Sequence, residues 1–167
     1  KAPSATDLQG VGNWRTDPAI AGGGYFADLA SHGFDLFQYL LGDIVEVAGF
    51  TGRQAGLYAA EDAVSASWRF ASGAMGMGCW NFVADRREDR VEVIGSKGRI
   101  SFSVFDEHPV ELQADEQLSL NIEHHAHIQW HHVLGMNAHI RGDAQHPAVA
   151  GEALKTDWVM DQILKRR

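Results

Sequence analysis

The chain of 167 residues has one cysteine, four prolines and no long apolar run. A single thiol, Cys79, excludes an internal disulfide framework and suits the cytoplasm, the expected location. No apolar stretch approaches the ~20 residues of a transmembrane helix, and the first ten residues lack the apolar centre of a signal peptide. Basic residues number 14 against 22 acidic, for a net charge of −8, and no basic stripe occurs; nucleic acid and anionic membranes are therefore not expected partners. The terminal Lys165-Arg166-Arg167 reads as the basic end of a helix. No G-x-G-x-x-G occurs anywhere in the sequence, so nothing here is expected to bind a dinucleotide in the Rossmann manner. No methionine starts the chain, which begins as a fragment or excised domain would. What is present is an ordinary globular mix, 45% apolar and 22% charged, long enough for one domain with its own core.

Residues 1–24 are rich in Gly, Pro, Asp and Ser and read as an irregular lead-in, interrupted by Trp14-Arg15. Either Trp14 plugs the core edge and Arg15 is solvated, or the pair serves a site. Residues 25–41 give the strongest helix, with Phe26, Leu29, Ala30, Gly33, Phe37, Leu40 and Leu41 on one side and Asp28, His32, Asp35 and Tyr39 on the other. Gly42 is the expected stop. Residues 44–122 read as six or seven strands. Val64, Ala66, Trp68 and Phe70 alternate with Ala63, Ser65, Ser67 and Arg69, the period of a half-buried strand. Residues 74–82 look like its antiparallel partner, where Gly76 and Gly78 leave room for bulky neighbours and Cys79 reads as a small buried residue. Gly95-Ser96-Lys97-Gly98 joins two more strands as a short hairpin loop rather than a phosphate loop. Helices are expected over 124–141, with Ala126, Trp130, Val133, Leu134 and Ile140 inward, and over 150–166, with Ala153, Thr156, Val159, Met160, Ile163 and Leu164 inward. The order of helix, strands and two helices predicts an α+β fold: a mostly antiparallel sheet with helices on one face.

The candidate chemistry centres on Asp28 and His32. Four residues is one helical turn, so the two side chains share a face near the helix start. Histidine is the commonest proton-transfer group near neutral pH. A carboxylate one turn away can hold the ring in one tautomer or accept a substrate hydroxyl. The helix start favours an anionic or hydroxyl-rich ligand, and Gly22-Gly23-Gly24 lets backbone approach it closely. Spacing alone favours the plainer reading, a solvated polar face, since an acid and a histidine four apart are commonplace on amphipathic helices. The histidines at 124, 125, 127, 131, 132 and 139 include the His127–His131 spacing of a zinc site. They fall away from the apolar side, with no Cys or H-E-x-x-H among them, so no metal is expected.

Trp14-Arg15, the glycine triplet, Asp28-x-x-x-His32-x-x-Asp35 and Leu41-Gly42 resemble the start of the C-terminal domain of the Gfo/Idh/MocA oxidoreductases. Val93-Ile94-Gly95-Ser96-Lys97-Gly98-Arg99-Ile100 resembles that domain's strand–turn–strand segment, and residues 147–163 its closing helix. The resemblance implies a single substrate-binding and oligomerisation domain over 1–167, of the GAPDH-like dehydrogenase C-terminal type. It implies NAD or NADP held mainly by an N-terminal Rossmann domain that this chain lacks, together with that domain's catalytic lysine. It implies His32 as the proton-transfer residue, Asp28 as its tuner or substrate ligand, and Trp14, Arg15, Gly23 and Gly24 as further substrate contacts. The expected activity is oxidation of a sugar, cyclitol or related polyhydroxy compound by the full-length protein, with this chain alone inactive. The expected assembly is a homo-oligomer, dimer or tetramer, through the sheet face. The alternative is a non-catalytic regulatory or assembly module of the same fold, whose exposed Trp68, Met77 and Trp80 would form its interface.

Overall fold

The computed structural model describes residues 2–10 and 12–165; Arg166 and Arg167 of the basic terminus lie outside them. The chain divides into two compact units, Lys1–Arg87 with Ala148–Arg167, and Glu88–Pro147.

The first unit is built on helix α3, Tyr25–Leu41. It ends where Gly42 turns to a φ of +89° and donates its amide to the Gln38 carbonyl, a conformation that glycine adopts without steric cost. The buried face is Tyr25, Phe26, Ala30, Gly33, Phe34 and Gln38. This corrects the expected stripe: Leu40 and Leu41 face water, and Phe34 and Gln38 lie inside. Gln38 is tolerated there because its amide is satisfied. It donates to Thr156 Oγ1 at 3.1 Å and accepts from the Ile44 amide at 3.3 Å.

Under α3 lies a three-stranded antiparallel sheet in the order β1 (Ile44–Gly52), β2 (Ala63–Phe70), β3 (Met75–Asn81). The alternation of β2 is as expected, with Val64, Ala66, Trp68 and Phe70 buried. Trp68 pairs with Gly76, and a Cβ there would run into the indole; a Cβ at Gly78 would lie 2.5 Å from Trp80. The two glycines are thus the room that the two tryptophans fill, and Trp68 and Trp80 pack beneath α3 instead of forming an exposed patch. Phe34 meets Trp68 edge-on at 5.0 Å, and Phe26 meets Trp80 likewise at 5.1 Å. Cys79 corrects the buried reading: with Trp80 inward, strand parity turns it outward, and it is exposed. Helix α5, Ala150–Leu164, closes the same core with Thr156, Val159, Met160 and Ile163. Ile163 reaches so near β1 that a Cβ at Gly49 would lie 2.9 Å from it.

Residues before α3 are not irregular throughout. They form α1 (Ala5–Leu8), a 3-10 turn (Trp14–Thr16) and α2 (Pro18–Ala21), each too short to show a helical period.

The second unit is a separate antiparallel meander, β4 (Val91–Gly95), β5 (Gly98–Phe102), β6 (Val110–Gln113) and β7 (Gln117–Leu120), so the seven strands make two sheets. Asp89 ties down the loop after β5 by accepting the amides of Val104, Phe105 and Asp106. Helix α4 runs only from Trp130 to Arg141, so His124, His125 and His127 precede it. None of its residues is buried, and the expected inward set of Trp130, Val133, Leu134 and Ile140 is exposed. Among the described residues no helix is long and apolar enough to cross a membrane. The architecture is α+β, with α3 and α5 on one face of the β1–β3 sheet.

Candidate functional site

A buried carboxylate organises the approach to α3. Ser4 and Asp7 form a capping box, the Ser4 amide and hydroxyl donating to Asp7 at 2.9 and 2.7 Å. Asp7 is 4% exposed and also accepts from the Tyr25 hydroxyl at 3.0 Å. Burial alone pushes its carboxyl up; the Ser4 bonds, with Tyr25 and Asn13, outweigh that and hold it below the ordinary carboxylate value. Burial first, and the Asp7 contact second, push the Tyr25 hydroxyl up, so it stays a donor.

The sign follows from the lowered value. The stability Asp7 contributes is complete above the ordinary pKa of 3.8 and fades as pH falls through the lower folded value. Asp7→Asn is expected to cost about 1–3 kcal/mol at pH 7. In urea melts the gap between wild type and variant should close below pH 3.8; a gap independent of pH would show that the charge is not what matters.

Tyr25 also receives the Asn13 side-chain amide at 2.8 Å. Asn13 in turn caps the 3-10 turn, its Oδ1 accepting the Arg15 amide at 3.1 Å while its carbonyl accepts the Thr16 hydroxyl and amide. The relay Asp7–Tyr25–Asn13 therefore fixes the backbone that presents Trp14 and Arg15 beside the first turn of α3.

There the structure brings three predicted residues together. The Arg15 guanidinium lies 4.4 Å over the Trp14 ring, and its Nε is 3.5 Å from Asp28 Oδ2. Trp14 is 55% exposed, so it is not a core plug. His32 stands one turn beyond Asp28 on the same exposed face, followed by Asp35. Gly22 caps α2 at a φ of +71°; Gly23 and Gly24 are buried. A Cβ on Gly24 would lie 2.6 Å from Ala60 Cβ and 3.4 Å from Glu61 Oε1. The close approach that Gly24 allows is thus to the strand-connecting loop of its own chain.

This glycine turn does not fit a nicotinamide dinucleotide. A pyrophosphate needs open backbone amides at a helix start, and here the Glu61 carboxylate lies against Gly24. Among the described residues, no three of His, Cys, Asp and Glu come together as metal ligands. His125 stacks on Trp130 at 5.1 Å, and His132 meets the buried His146 edge-on at 4.8 Å. An open groove lined by Gln38, Ile44, Leu154, Lys155 and Trp158 lies at the other end of α3 and includes none of the predicted site residues.

Residues 3–101 match the family model described as the GFO/IDH/MocA C-terminal domain. The chain belongs to this family. Oxidoreductase P35 of Formosa agariphila is 28% identical over 149 residues, which cover 89% of this chain and 46% of that protein. An NAD binding oxidoreductase from Klebsiella pneumoniae superposes with a TM-score of 0.79 at 20% identity, over 93% of this chain and 53% of that one. The WlbA dehydrogenase from Bordetella pertussis, solved in complex with NADH and UDP-GlcNAcA, superposes with a TM-score of 0.73 at 22% identity, over 98% of this chain and 48% of that one. These structures share the fold of this GFO/IDH/MocA domain. The chain spans about half the length of the relatives it matches.

Sequence reasoning missed five residues that shape this helix start and the loop packed on it: Ser4, Asp7, Asn13, Tyr25 and Asp62. The Ser4-x-x-Asp7 spacing was a legible capping signal; Asn13 and Tyr25 carried none, because their bonds join separate segments. Asp62, 1% exposed, accepts the amides of Gln54, Ala55 and Gly56 at 2.6, 2.9 and 3.4 Å and so shapes the loop packed on Gly24.

Proposed function

We propose that this domain is the substrate-binding half of an NAD(P)-dependent oxidoreductase acting on a sugar, cyclitol or related polyhydroxy compound. The observation that carries the reading is the arrangement at the start of α3: Arg15 in contact with both Trp14 and Asp28, with His32 one turn on, all exposed while the opposite face of the helix is core. His32 takes the proton from the substrate hydroxyl, Asp28 orients the substrate or the ring, and Trp14 and Arg15 complete the contacts, while the buried Gly23 and Gly24, the latter against the loop at Ala60 and Glu61, shape the turn that carries α3. The nicotinamide cofactor supplies hydride transfer and is held by polypeptide beyond this chain, since the glycine turn here does not fit it. Family membership supports the reading, as does the nucleotide sugar acid bound to the WlbA dehydrogenase. This chain by itself is then inactive.

The open face of the β1–β3 sheet, where Phe50, Met75 and Met77 are 77, 79 and 84% exposed, is the contact with a second copy. An exposed free thiol at Cys79 suits the cytoplasm.

The test is a screen of the intact protein against sugars and cyclitols with NAD and NADP, run beside His32→Ala. Oxidation of a polyol by wild type that the variant has lost is the expected result. A protein that oxidises none of them, or a variant with wild-type turnover, overturns the reading and leaves the non-catalytic module.

A further inference from the structure

We infer that Arg15 and Trp14 select a sugar bearing a carboxylate, a uronic or aldonic acid, and that this carboxylate displaces Arg15 from Asp28. The inference rests on the reading of this helix start as the substrate site.

Three observations carry it. The backbone that carries Arg15 is fixed: the Arg15 amide is bonded to Asn13, which is bonded to Tyr25, which is bonded to the buried Asp7. The guanidinium is stacked on Trp14 and paired with Asp28 through Nε at 3.5 Å, with the two charged side chains 48 and 46% exposed. An exposed pair of that length contributes little and exchanges readily. A ligand carboxylate can take two parallel N–H bonds from the planar fork, which Asp28 does not do here. Trp14, 55% exposed, offers a rigid apolar surface for the C–H face of a sugar ring.

The positive end of α3 is the rival anion site, and the structure argues against it. Glu61 already places a carboxylate against Gly24, so a ligand anion is repelled there and Arg15 is the cation left to meet it. One guanidinium also matches a singly charged carboxylate better than a phosphate dianion, which calls for several donors. The exchange has a consequence for the neighbouring turn. Once Arg15 turns to the ligand, Asp28 is free to accept a substrate hydroxyl beside His32.

The experiment is calorimetric titration of the intact protein with glucuronate, glucose and glucose 6-phosphate, which needs no turnover. Wild type should bind glucuronate about 10–100-fold more tightly than glucose. Arg15→Gln should bring that ratio close to one, and Arg15→Lys should restore part of it; thermal melts confirm that both variants fold. An unchanged ratio in Arg15→Gln, no preference in wild type, or a preference for the phosphate overturns the inference. Its failure is distinct from that of the site reading. If His32→Ala abolishes turnover while Arg15→Gln weakens acid and neutral sugars alike, only the carboxylate selection falls. If His32→Ala leaves turnover intact, the site itself falls.

Discussion

In the intact protein, His32→Ala is expected to lower kcat by about 10²–10⁴-fold, the range for loss of a positioned proton-transfer group. His32 lies on the exposed face of α3, while the core contacts of that helix come from Tyr25, Phe26, Ala30, Phe34 and Gln38. Thermal melts of the variant beside the assay separate a loss of rate from a loss of stability. Proton transfer acts in the transition state, so kcat and kcat/KM should fall together. The cofactor dissociation constant should stay within about twofold, since the helix start does not fit a dinucleotide. Asp28→Asn should cost less in kcat and more in KM if Asp28 positions the substrate. Equal losses in cofactor binding and in turnover would assign His32 a structural role instead.

Phe34→Ala should lower the unfolding free energy by about 3–5 kcal/mol, as removal of a fully enclosed aromatic ring does. The ring is 0% exposed and lies 6.0 Å from Phe37, 5.0 Å from Trp68 and 5.5 Å from Trp80. Those indoles are themselves wedged over Gly76 and Gly78, so they cannot easily slide into the space. The cavity stays open and its cost stays near the upper part of the range. Leu40→Ala is the control: Leu40 is 52% exposed, and its loss should stay within about 0.5 kcal/mol. Chemical denaturation followed by circular dichroism measures both. Similar losses in the two variants would mean that the core is not centred on Phe34.

The same positions show what a sequence can and cannot disclose. Helix α3 was legible to its ends, because Gly24 and Gly42 bracket a sustained period. Strand β2 was legible residue by residue, because strict alternation admits one parity. Cys79 was readable too: placing Trp80 inward fixes its neighbour outward, and the error lay in weighing residue type above parity. Gln38 could not be read, since its burial depends on Thr156, more than a hundred residues away. Leu40 and Leu41 looked apolar enough to be core, but the sheet and α5 do not extend over them. At the candidate site, Asp28 and His32 were visible as a helical spacing. Their link to Arg15 was not, because it depends on a 3-10 turn capped by Asn13 and on a hydroxyl from Tyr25.

Helix α5 gives the first unit an order of assembly. Ile163 and Val159 are wholly enclosed against an α3–β1 layer made from the opening third of the chain. During synthesis that layer leaves the ribosome long before its cover does, and it waits while the β4–β7 meander is translated. In that interval the surfaces of β1 and α3 that α5 covers in the finished fold lack their cover. Truncation before Ala150 should therefore yield a protein that aggregates.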